Sequence, residues 1–317
     1  MRPYAVIDMH CDTLTECKYT NTGNPDTLDD PKRVLSLGNM PSDVKWAQFY
    51  AIWIQDENRG ADAVNFFSVN ADNFDRQIEL FSDRVVACRS ASDIEKAWAD
   101  GKRAAILTVE NGSALGGDIN NVKYLHDRGV RCITLVWNFD NEIGTGVKGG
   151  DAGFKDFGRQ VIPEMEKYGI LADVSHLNDT GFYELLEIAA KPFVATHSNA
   201  RSLCSHARNL TDDMIVQMVK RDCLIGLNYY TNFICDDGSC ESPDTLYRHI
   251  CRFFELGAEK NLALGSDFDG SVLPEWLNSP EKVAEFYDYI ISRGLSQEQA
   301  DGIFYANALG FLKKNLG

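Results

Sequence analysis

The sequence has too few basic residues for several classes of protein. It contains 31 Lys and Arg against 47 Asp and Glu, which gives a formal charge of −16. Binding to nucleic acid or to an anionic membrane surface depends on clustered Lys and Arg, so we expect neither partner. The chain also lacks an uninterrupted apolar stretch long enough to cross a bilayer. No basic and apolar leader precedes Tyr4, and we therefore expect no secretory signal.

Cysteine usage gives no sign of a disulfide framework. The nine cysteines are odd in number and scattered, mostly within apolar segments such as those around Cys132, Cys223 and Cys251. This usage indicates reduced thiols and predicts a cytoplasmic protein. Cys235 and Cys240, in ICDDGSC, could pair or bind a metal. Their spacing is not that of a zinc knuckle, so a surface loop is the favoured interpretation.

Eight apolar, β-branched runs recur along the chain, and helical patterns fill most of the intervals between them. The runs are AVIDMH, WAQFYAIWI, AAILTVEN, CITLVWN, LADVSH, FVATHS, LIGLNYY and LALGSDFDG. Near-continuous apolar strands that alternate with amphipathic helices are typical of a parallel sheet covered on its faces. Eight units predict an α/β fold of the closed (β/α)8 TIM-like barrel type, with a doubly wound open sheet as the alternative. Gly129, Gly169 and Gly257 are expected to end helices.

Other segments complete the predicted domain organisation. The last segment, SPEKVAEFYDYIISRGLSQEQADGIFYANALGFLKKNL, predicts two or three extra C-terminal helices packed outside the barrel. The polar, irregular segment 18–45 is expected to form a loop over one end of the barrel. Because the chain shows no Pro/Ser linker, low-complexity tract or repeat, we interpret residues 1–317 as a single domain.

Ionisable side chains follow five of the predicted strands. They are His10 and Asp12, Glu110, His176, His197 and Asp267. The carboxyl ends of barrel strands converge on one mouth, where active sites of this fold are built. A single His or Asp after a strand is more often a turn former or helix cap than a ligand, but three of only six histidines occupy strand ends beside three carboxylates. Of the remaining histidines, His206 lies in a loop, and His126 and His249 lie in helical patterns and are interpreted as surface or packing residues.

Converging imidazole and carboxylate groups suit zinc or a related divalent ion. Five candidate ligands are too many for one catalytic zinc, which normally keeps three protein ligands and an open position. They fit two ions about 3.5–4 Å apart that share a bridging carboxylate. Glu110 stands between the two pairs in sequence and is the natural bridge.

Six segments in this order and spacing resemble the membrane (renal-type) dipeptidases and their bacterial relatives. They are IDMHCDTL, TVENG, ADVSH, ATHSNAR, HARNLTDD and LGSDFDG, and the resemblance extends to the C-terminal YANALGFLKKNL. It implies a barrel hydrolase with two Zn²⁺ per chain, in which a metal-bridging hydroxide cleaves unblocked dipeptides, some with a C-terminal D-residue. It also suggests a homodimer.

The resemblance assigns roles to individual residues. His10 and Asp12 would bind one zinc, His176 and His197 the other, and Glu110 would bridge them. Arg208, in HARN, matches the arginine that holds the terminal carboxylate of the substrate, a task suited to a planar guanidinium. Asp267 matches the acid that carries a proton from the attacking water to the leaving amine. Asp269 could share that role, but the family register favours Asp267.

One position departs from the family. In mammalian members the fourth strand ends in a histidine that contacts the substrate and stabilises the tetrahedral intermediate. Trp137 occupies that position here, followed by Asn138, and tryptophan offers a single indole donor. Either Asn138 supplies the contact, or the stabilisation is weaker or absent, at a cost on the order of 10²–10³ in turnover.

Two other functions are compatible with this pattern. The first is another metal-dependent barrel hydrolase that acts on a cyclic amide, lactone or phosphoester. The opening His-x-Asp motif, in place of the His-x-His of amidohydrolases, and the absence of a strand-end lysine weigh against it. The second is a catalytically silent barrel that binds a peptide or metal, whose signature would be a missing ligand or proton shuttle. All six strand-end groups are present, so we expect an enzyme.

Overall fold

The strands of the protein close into a barrel. The computed structural model describes residues 3–17 and 27–316. These residues form nine parallel strands: β1 (Ala5–Cys11), β2 (Lys45–Trp53), β3 (Val85–Ala87), β4 (Arg103–Glu110), β5 (Cys132–Thr134), β6 (Leu171–Asp173), β7 (Val194–Ala195), β8 (Leu224–Leu227) and β9 (Leu262–Leu264). β1 pairs with β2, β2 with β4, each later strand with the next, and β9 again with β1. The (β/α)8 prediction is therefore confirmed, and the open sheet is excluded.

The short strand β3 contradicts the sequence-based prediction. It lies in a stretch that the pattern assigned to helices, and it pairs only with the start of β4, where Val85 lies opposite Arg103. β3 is three residues long and is flanked closely by helices. A run of this length is too short to show a period of two, so the helical pattern on both sides obscured it.

Helices cover the barrel between the strands. Those of the described residues are α1 (Thr13–Glu16), α2 (Gly60–Leu80), α3 (Ala91–Ala99), α4 (Asn120–Asp127), α5 (Asp156–Tyr168), α6 (Asp179–Ile188), α7 (Asp212–Lys220), α8 (Thr231–Ile234), α9 (Asp244–Glu255), α10 (Pro280–Ser292), α11 (Gln297–Asp301) and α12 (Asn307–Asn315). Gly129, Gly169 and Gly257 follow helices with φ of 102°, 69° and 85°. They end these helices as expected, because only glycine adopts that conformation without strain. None of the described helices combines the length and apolar character needed to cross a membrane.

The C-terminal helices close one end of the barrel. The side chain of Asn307, at the start of α12, donates to the carbonyl oxygen of Leu262 at the amino end of β9, at 2.8 Å. Phe311 belongs to the same buried cluster as the strand residues Ile7 and Phe49. The predicted extra helices are thus present, and α12 lies against the amino ends of the strands. The carboxyl ends remain open as a mouth.

Part of the predicted loop 18–45 lies at that mouth. Residues 18–26 lie outside the described residues, whereas 27–44 run without a helix or strand. The backbone N–H groups of Val34 and Leu35 donate to the carboxylate of Asp269, at 2.8 and 3.2 Å. Asp269 follows β9, so this contact fixes the loop beside the carboxyl ends of the strands.

Candidate active site

The structure brings all six strand-end residues into one cluster at the carboxyl ends of β1, β4, β6, β7 and β9. Each of the six is less than one-tenth exposed: His10, Asp12, Glu110, His176, His197 and Asp267. The β1 register slips by a bulge between Asp8 and Cys11, a feature that re-aims side chains beside functional sites. Cys11, which stands between the two candidate ligands, is buried in the hydrophobic core.

Glu110 lies between the histidines of the cluster. Its Oε2 atom lies 3.5 Å from Nε2 of His10. Its Oε1 atom lies 2.8 Å from Nε2 of His176 and 3.7 Å from Nε2 of His197. One carboxylate oxygen therefore faces each side of the cluster, which is the arrangement that a bridging carboxylate requires.

Two aspartates accompany His10 on its side of the cluster. The His10 Nε2 atom lies 3.6 Å from Oδ2 of Asp12 and 3.9 Å from Oδ1 of Asp267. Gly270 packs directly against these carboxylates. A Cβ atom on Gly270 would lie 1.9 Å from Oδ2 of Asp12 and 2.8 Å from Oδ1 of Asp267. Only glycine at this position leaves room for both aspartates.

The donor set fits divalent metal ions. Nε2 of His10 and Oδ1 of Asp12 are buried and have no hydrogen-bond partner among the described residues. Buried polar atoms are almost always paired, so such atoms point to an ion or water as the missing partner. Two groups with His10 in common have ligand atoms within 4.8 Å of one another: His10, Glu110 and His197, and His10, Asp12 and Asp267. Imidazole nitrogen and carboxylate oxygen are ligands that zinc accepts.

Burial and mutual repulsion perturb the ionisation of these groups. Burial, followed by the charge of Glu110, raises the pKa of Asp12 to about 7. Burial also acts to raise the pKa of Glu110, but its contacts with His10 and His176 outweigh that effect and hold the pKa below its usual range. Burial and the nearby charge of Arg208 lower the pKa of His176 to about 4. His176 is therefore neutral at pH 7, the form in which imidazole binds a metal.

Hydrogen bonds fix the orientation of the two later histidines. Nδ1 of His197 lies 2.8 Å from Oγ1 of Thr196, whose hydroxyl donates to Oδ2 of the buried Asp173 at 2.6 Å. Nδ1 of His176 lies 3.4 Å from Oδ1 of Asn138. Both acceptors hold the proton on Nδ1, so the lone pair of each Nε2 faces the cluster.

Backbone strain is concentrated at this site. Five non-glycine residues of the described chain have positive φ, and four of them lie at the carboxyl ends of strands around the cluster: Asn111, His176, Asp267 and Asp269. Such conformations cost of order 1–3 kcal/mol each and occur mainly where a site requires a particular orientation.

Arg208 lies beside the cluster as a buried cation. Its Nη2 donates to the carbonyl oxygen of His197 at 3.1 Å, and its Nη1 to Oγ of Ser198 at 3.4 Å. Its Nε has no hydrogen-bond partner among the described residues, and its guanidinium lies 5.3 Å from the centre of the Phe233 ring. Burial lowers the pKa of Arg208 to about 10, so it stays charged at neutral pH.

Asp267 and Asp269 make different contacts in the structure. Asp269 accepts hydrogen bonds from Oγ1 of Thr13 at 2.5 Å and from the loop backbone at Val34 and Leu35. These hydrogen bonds use the Asp269 carboxylate to fix the loop at Val34 and Leu35. Asp267 reaches the cluster, and its other oxygen accepts from the side chain of Asn228 at 3.3 Å.

A cavity of about 790 Å³ opens above the cluster. Trp137 and Asn138 both line it, as do Arg208, Asp12, Glu110, His176 and Asp267. Trp137 packs edge-on against Trp53, with ring centres 5.0 Å apart. His10 and His197 lie beneath, almost fully buried. All nine residues predicted for the site are thus in or directly below this cavity.

The cavity wall also contains residues that sequence reasoning did not assign to the site, among them Trp53, Lys148 and His206. Trp53 is the last residue of β2 and occupies a strand end like the candidate ligands, so position alone could have identified it. Lys148 and His206 lie in long loops after β5 and β7. No periodic pattern in the sequence points to either of them.

Comparison with known proteins agrees with this geometry. Residues 1–315 match the sequence profile of the membrane dipeptidase family, peptidase family M19. A Klebsiella pneumoniae protein named for its place in the pqqA 5′ region is 32% identical over 240 residues, which are 73% of this chain and 89% of that protein. The crystal structure of dipeptidase AC, a metallopeptidase of family M19, has a TM-score of 0.90 at 25% identity and covers 99% of both chains.

A second solved structure has the same fold. It is a metallopeptidase from Rhodobacter sphaeroides bound to a phosphinate mimic of the dipeptide L-Ala-D-Ala. It has a TM-score of 0.89 at 23% identity and covers 99% of this chain and 100% of its own. Taken with the whole-length profile match, these findings show that the chain belongs to the membrane dipeptidase family of metallopeptidases.

Proposed function

We propose that this chain hydrolyses the peptide bond of unblocked dipeptides with the aid of two zinc ions. The observation that carries the proposal is the position of Glu110, which presents one oxygen to His10 and the other to His176 and His197. The unpaired buried atoms of His10 and Asp12 support it. His10 and Asp12 would hold one ion, His176 and His197 the other, with Glu110 shared. When bound, such a pair supplies an activated water and polarises the scissile carbonyl.

Arg208 positions the substrate. Its buried guanidinium lines the cavity, keeps an unpaired Nε and is rigidly held by the carbonyl of His197 and the hydroxyl of Ser198. A planar cation in this setting suits a carboxylate, and a dipeptide presents one at its C-terminus. This contact fixes the C-terminal end of the dipeptide and places the scissile bond over the cluster.

Asp267 moves the proton. Its Oδ1 lies at the edge of the cluster, while Asn228 holds its Oδ2. Asp267 accepts a proton from the attacking water and donates it to the nitrogen of the leaving residue, so that the products are two amino acids. Trp137 occupies the place of the family histidine, and we therefore expect weaker stabilisation of the tetrahedral intermediate and slower turnover.

The stereochemistry of the substrate is part of the proposal. The Rhodobacter sphaeroides relative was crystallised with a mimic of an L–D dipeptide. On this basis we expect the present chain to accept a D-residue at the C-terminus. The cytoplasmic location and the homodimer stay predictions.

A dipeptide panel tests the proposed function. L–L and L–D dipeptides are assayed with protein stripped by chelator and with the same protein after zinc is added back. We expect activity only with zinc, and two ions per chain by elemental analysis. Full activity of the stripped protein would overturn the proposal. Turnover of lactones without turnover of dipeptides would favour the alternative hydrolase, and failure to bind metal would favour the silent barrel.

A further inference from the structure

The backbone at Lys148 is hydrogen-bonded to residues that flank the candidate metal cluster. Its backbone N–H donates to the carbonyl oxygen of Asn138 at 2.8 Å. The preceding N–H, of Val147, donates to the carbonyl oxygen of His176 at 3.0 Å. The loop after β5 is thus tied to the residues that flank the cluster, and the side chain of Lys148 lines the same cavity as Arg208.

The ammonium group of Lys148 has no partner within the described part of the chain. No hydrogen bond, salt bridge or ring contact involves it, and the residue is exposed at the rim of the cavity. The cavity carboxylates outside the candidate metal cluster are engaged elsewhere, since Glu16 pairs with Arg33 at 3.2 Å and Asp269 holds the loop. Lys148 therefore presents an uncompensated positive charge to the cavity.

Lys148 and Arg208 line the same wall of the cavity. His206 lies on that wall, where its Nδ1 accepts the backbone N–H of Arg208 at 3.1 Å. After burial, the charges of Arg208 and Lys148 are the largest causes that lower the pKa of His206. The described wall residues include no other lysine or arginine. A substrate with one carboxylate would neutralise only one of these two charges.

We infer that Lys148 selects dipeptides whose C-terminal residue carries a side-chain carboxylate. The inference rests on the proposed function, in which Arg208 holds the terminal carboxylate. Lys148 would then bind the second carboxylate of an aspartyl or glutamyl residue. A flexible lysine suits this role, because the side-chain carboxylate varies in position while the terminal one is fixed.

The test compares two substrates that differ in charge but not in shape. kcat/KM is measured for Ala-Asp and Ala-Asn, each with an L- and a D-residue at the C-terminus, using zinc-loaded protein. We expect wild type to prefer the aspartyl substrate, and Lys148→Met to lower the Asp/Asn ratio about 2- to 5-fold, the usual worth of an ion pair at an exposed site. Lys148→Arg should restore most of the ratio.

Lys260→Met is the matched control, because it removes the same charge in the turn that precedes β9, at the other end of the barrel. It should leave the Asp/Asn ratio at the wild-type value. An unchanged ratio in Lys148→Met would overturn the inference. So would an equal loss on both substrates, which would mean that Lys148 binds the terminal carboxylate together with Arg208. No turnover of any dipeptide would instead contradict the proposed function, so the two failures are distinct.

Discussion

The Nε2 atoms of His176 and His197 face each other at 3.2 Å. Asn138 and Thr196 accept the protons on the opposite ring nitrogens, so both facing atoms carry lone pairs. Oε1 of Glu110 lies 2.8 Å from the first of them. Three electron-rich atoms converge here, and a cation between them would relieve their repulsion.

Removal of metal should therefore destabilise the fold. A ligand at 100 to 1,000 times its dissociation constant stabilises the native state by about 3–4 kcal/mol. We expect chelation to lower the melting temperature by roughly 5 °C or more, and zinc to restore it. Differential scanning calorimetry on stripped and reloaded protein measures this. Identical melting temperatures would argue against a metal between these residues.

Thr196→Val should weaken metal binding without unfolding the protein. The substitution removes the acceptor that holds Nδ1 of His197, and loss of such a contact typically costs 10- to 100-fold in metal affinity. Competition with a chromophoric chelator measures the affinity. Thr134→Val is the control, because Thr134 also donates to Asp173, at 2.6 Å, but does not contact His197. Equal affinities in the two variants would contradict the orienting role of Thr196.

Asp267→Asn should impair catalysis, whereas Asp269→Asn should impair stability. Asn tolerates the positive φ of 64° found at both positions. Loss of a general acid–base group lowers kcat by about 10²–10⁴, so we expect that loss in Asp267→Asn with the melting temperature retained. Asp269→Asn should instead lower the melting temperature, because it weakens the contacts to Thr13, Val34 and Leu35. A larger loss of kcat in Asp269→Asn would reverse the assignment.

Trp137→His should raise dipeptide turnover. Histidine would restore a donor that the family uses on the tetrahedral intermediate, and one such donor is worth on the order of 10²–10³ in turnover. We expect kcat to rise at least about tenfold with the metal content unchanged. Trp137→Phe is the control, because it also alters the contact with Trp53 but offers no donor. Equal kcat values in the two variants would show that position 137 does not limit the reaction.

The barrel was predictable because eight apolar runs alternate with amphipathic helical patterns, and five of these runs lead into ionisable residues. A near-continuous apolar run such as the one that ends at Glu110 indicates a barrel strand, and its end indicates where a site residue lies. β3 was not predictable, because Val85–Ala87 is too short for a periodic signal. Its pairing with β4 is fixed by tertiary contact, not by local sequence.

The candidate metal cluster was easier to predict than the cavity wall. Candidate ligands follow strands, whose direction is set by the barrel. The path of the loop that carries Lys148 depends on a hydrogen bond from Val147 to His176, which follows a different strand. For the same reason, the residues alone do not distinguish Asp267 from Asp269, and only the family register favours Asp267. The difference lies in Asp269's contacts with a loop more than two hundred residues earlier.

His249 should make the stability of the protein depend on pH. It is fully buried in α9, where its Nδ1 accepts the N–H of Ala200 at 3.2 Å and its Nε2 donates to the carbonyl of Ile234 at 3.0 Å. Burial lowers its pKa from 6.5 to about 4. Between these values the unfolded chain binds a proton that the native protein does not, so the free energy of unfolding falls as the pH falls.

From pH 7 to pH 5 the loss from His249 amounts to about 2 kcal/mol. His249→Gln keeps a donor and an acceptor at similar spacing but does not titrate, so its stability should fall less over this interval. Urea unfolding at the two pH values, with zinc present throughout, measures the difference. His126→Gln, in the more exposed part of α4, is the control and should keep the wild-type pH dependence. If His249→Gln also keeps it, another group accounts for the loss of stability in acid, because any release of metal affects all three proteins alike.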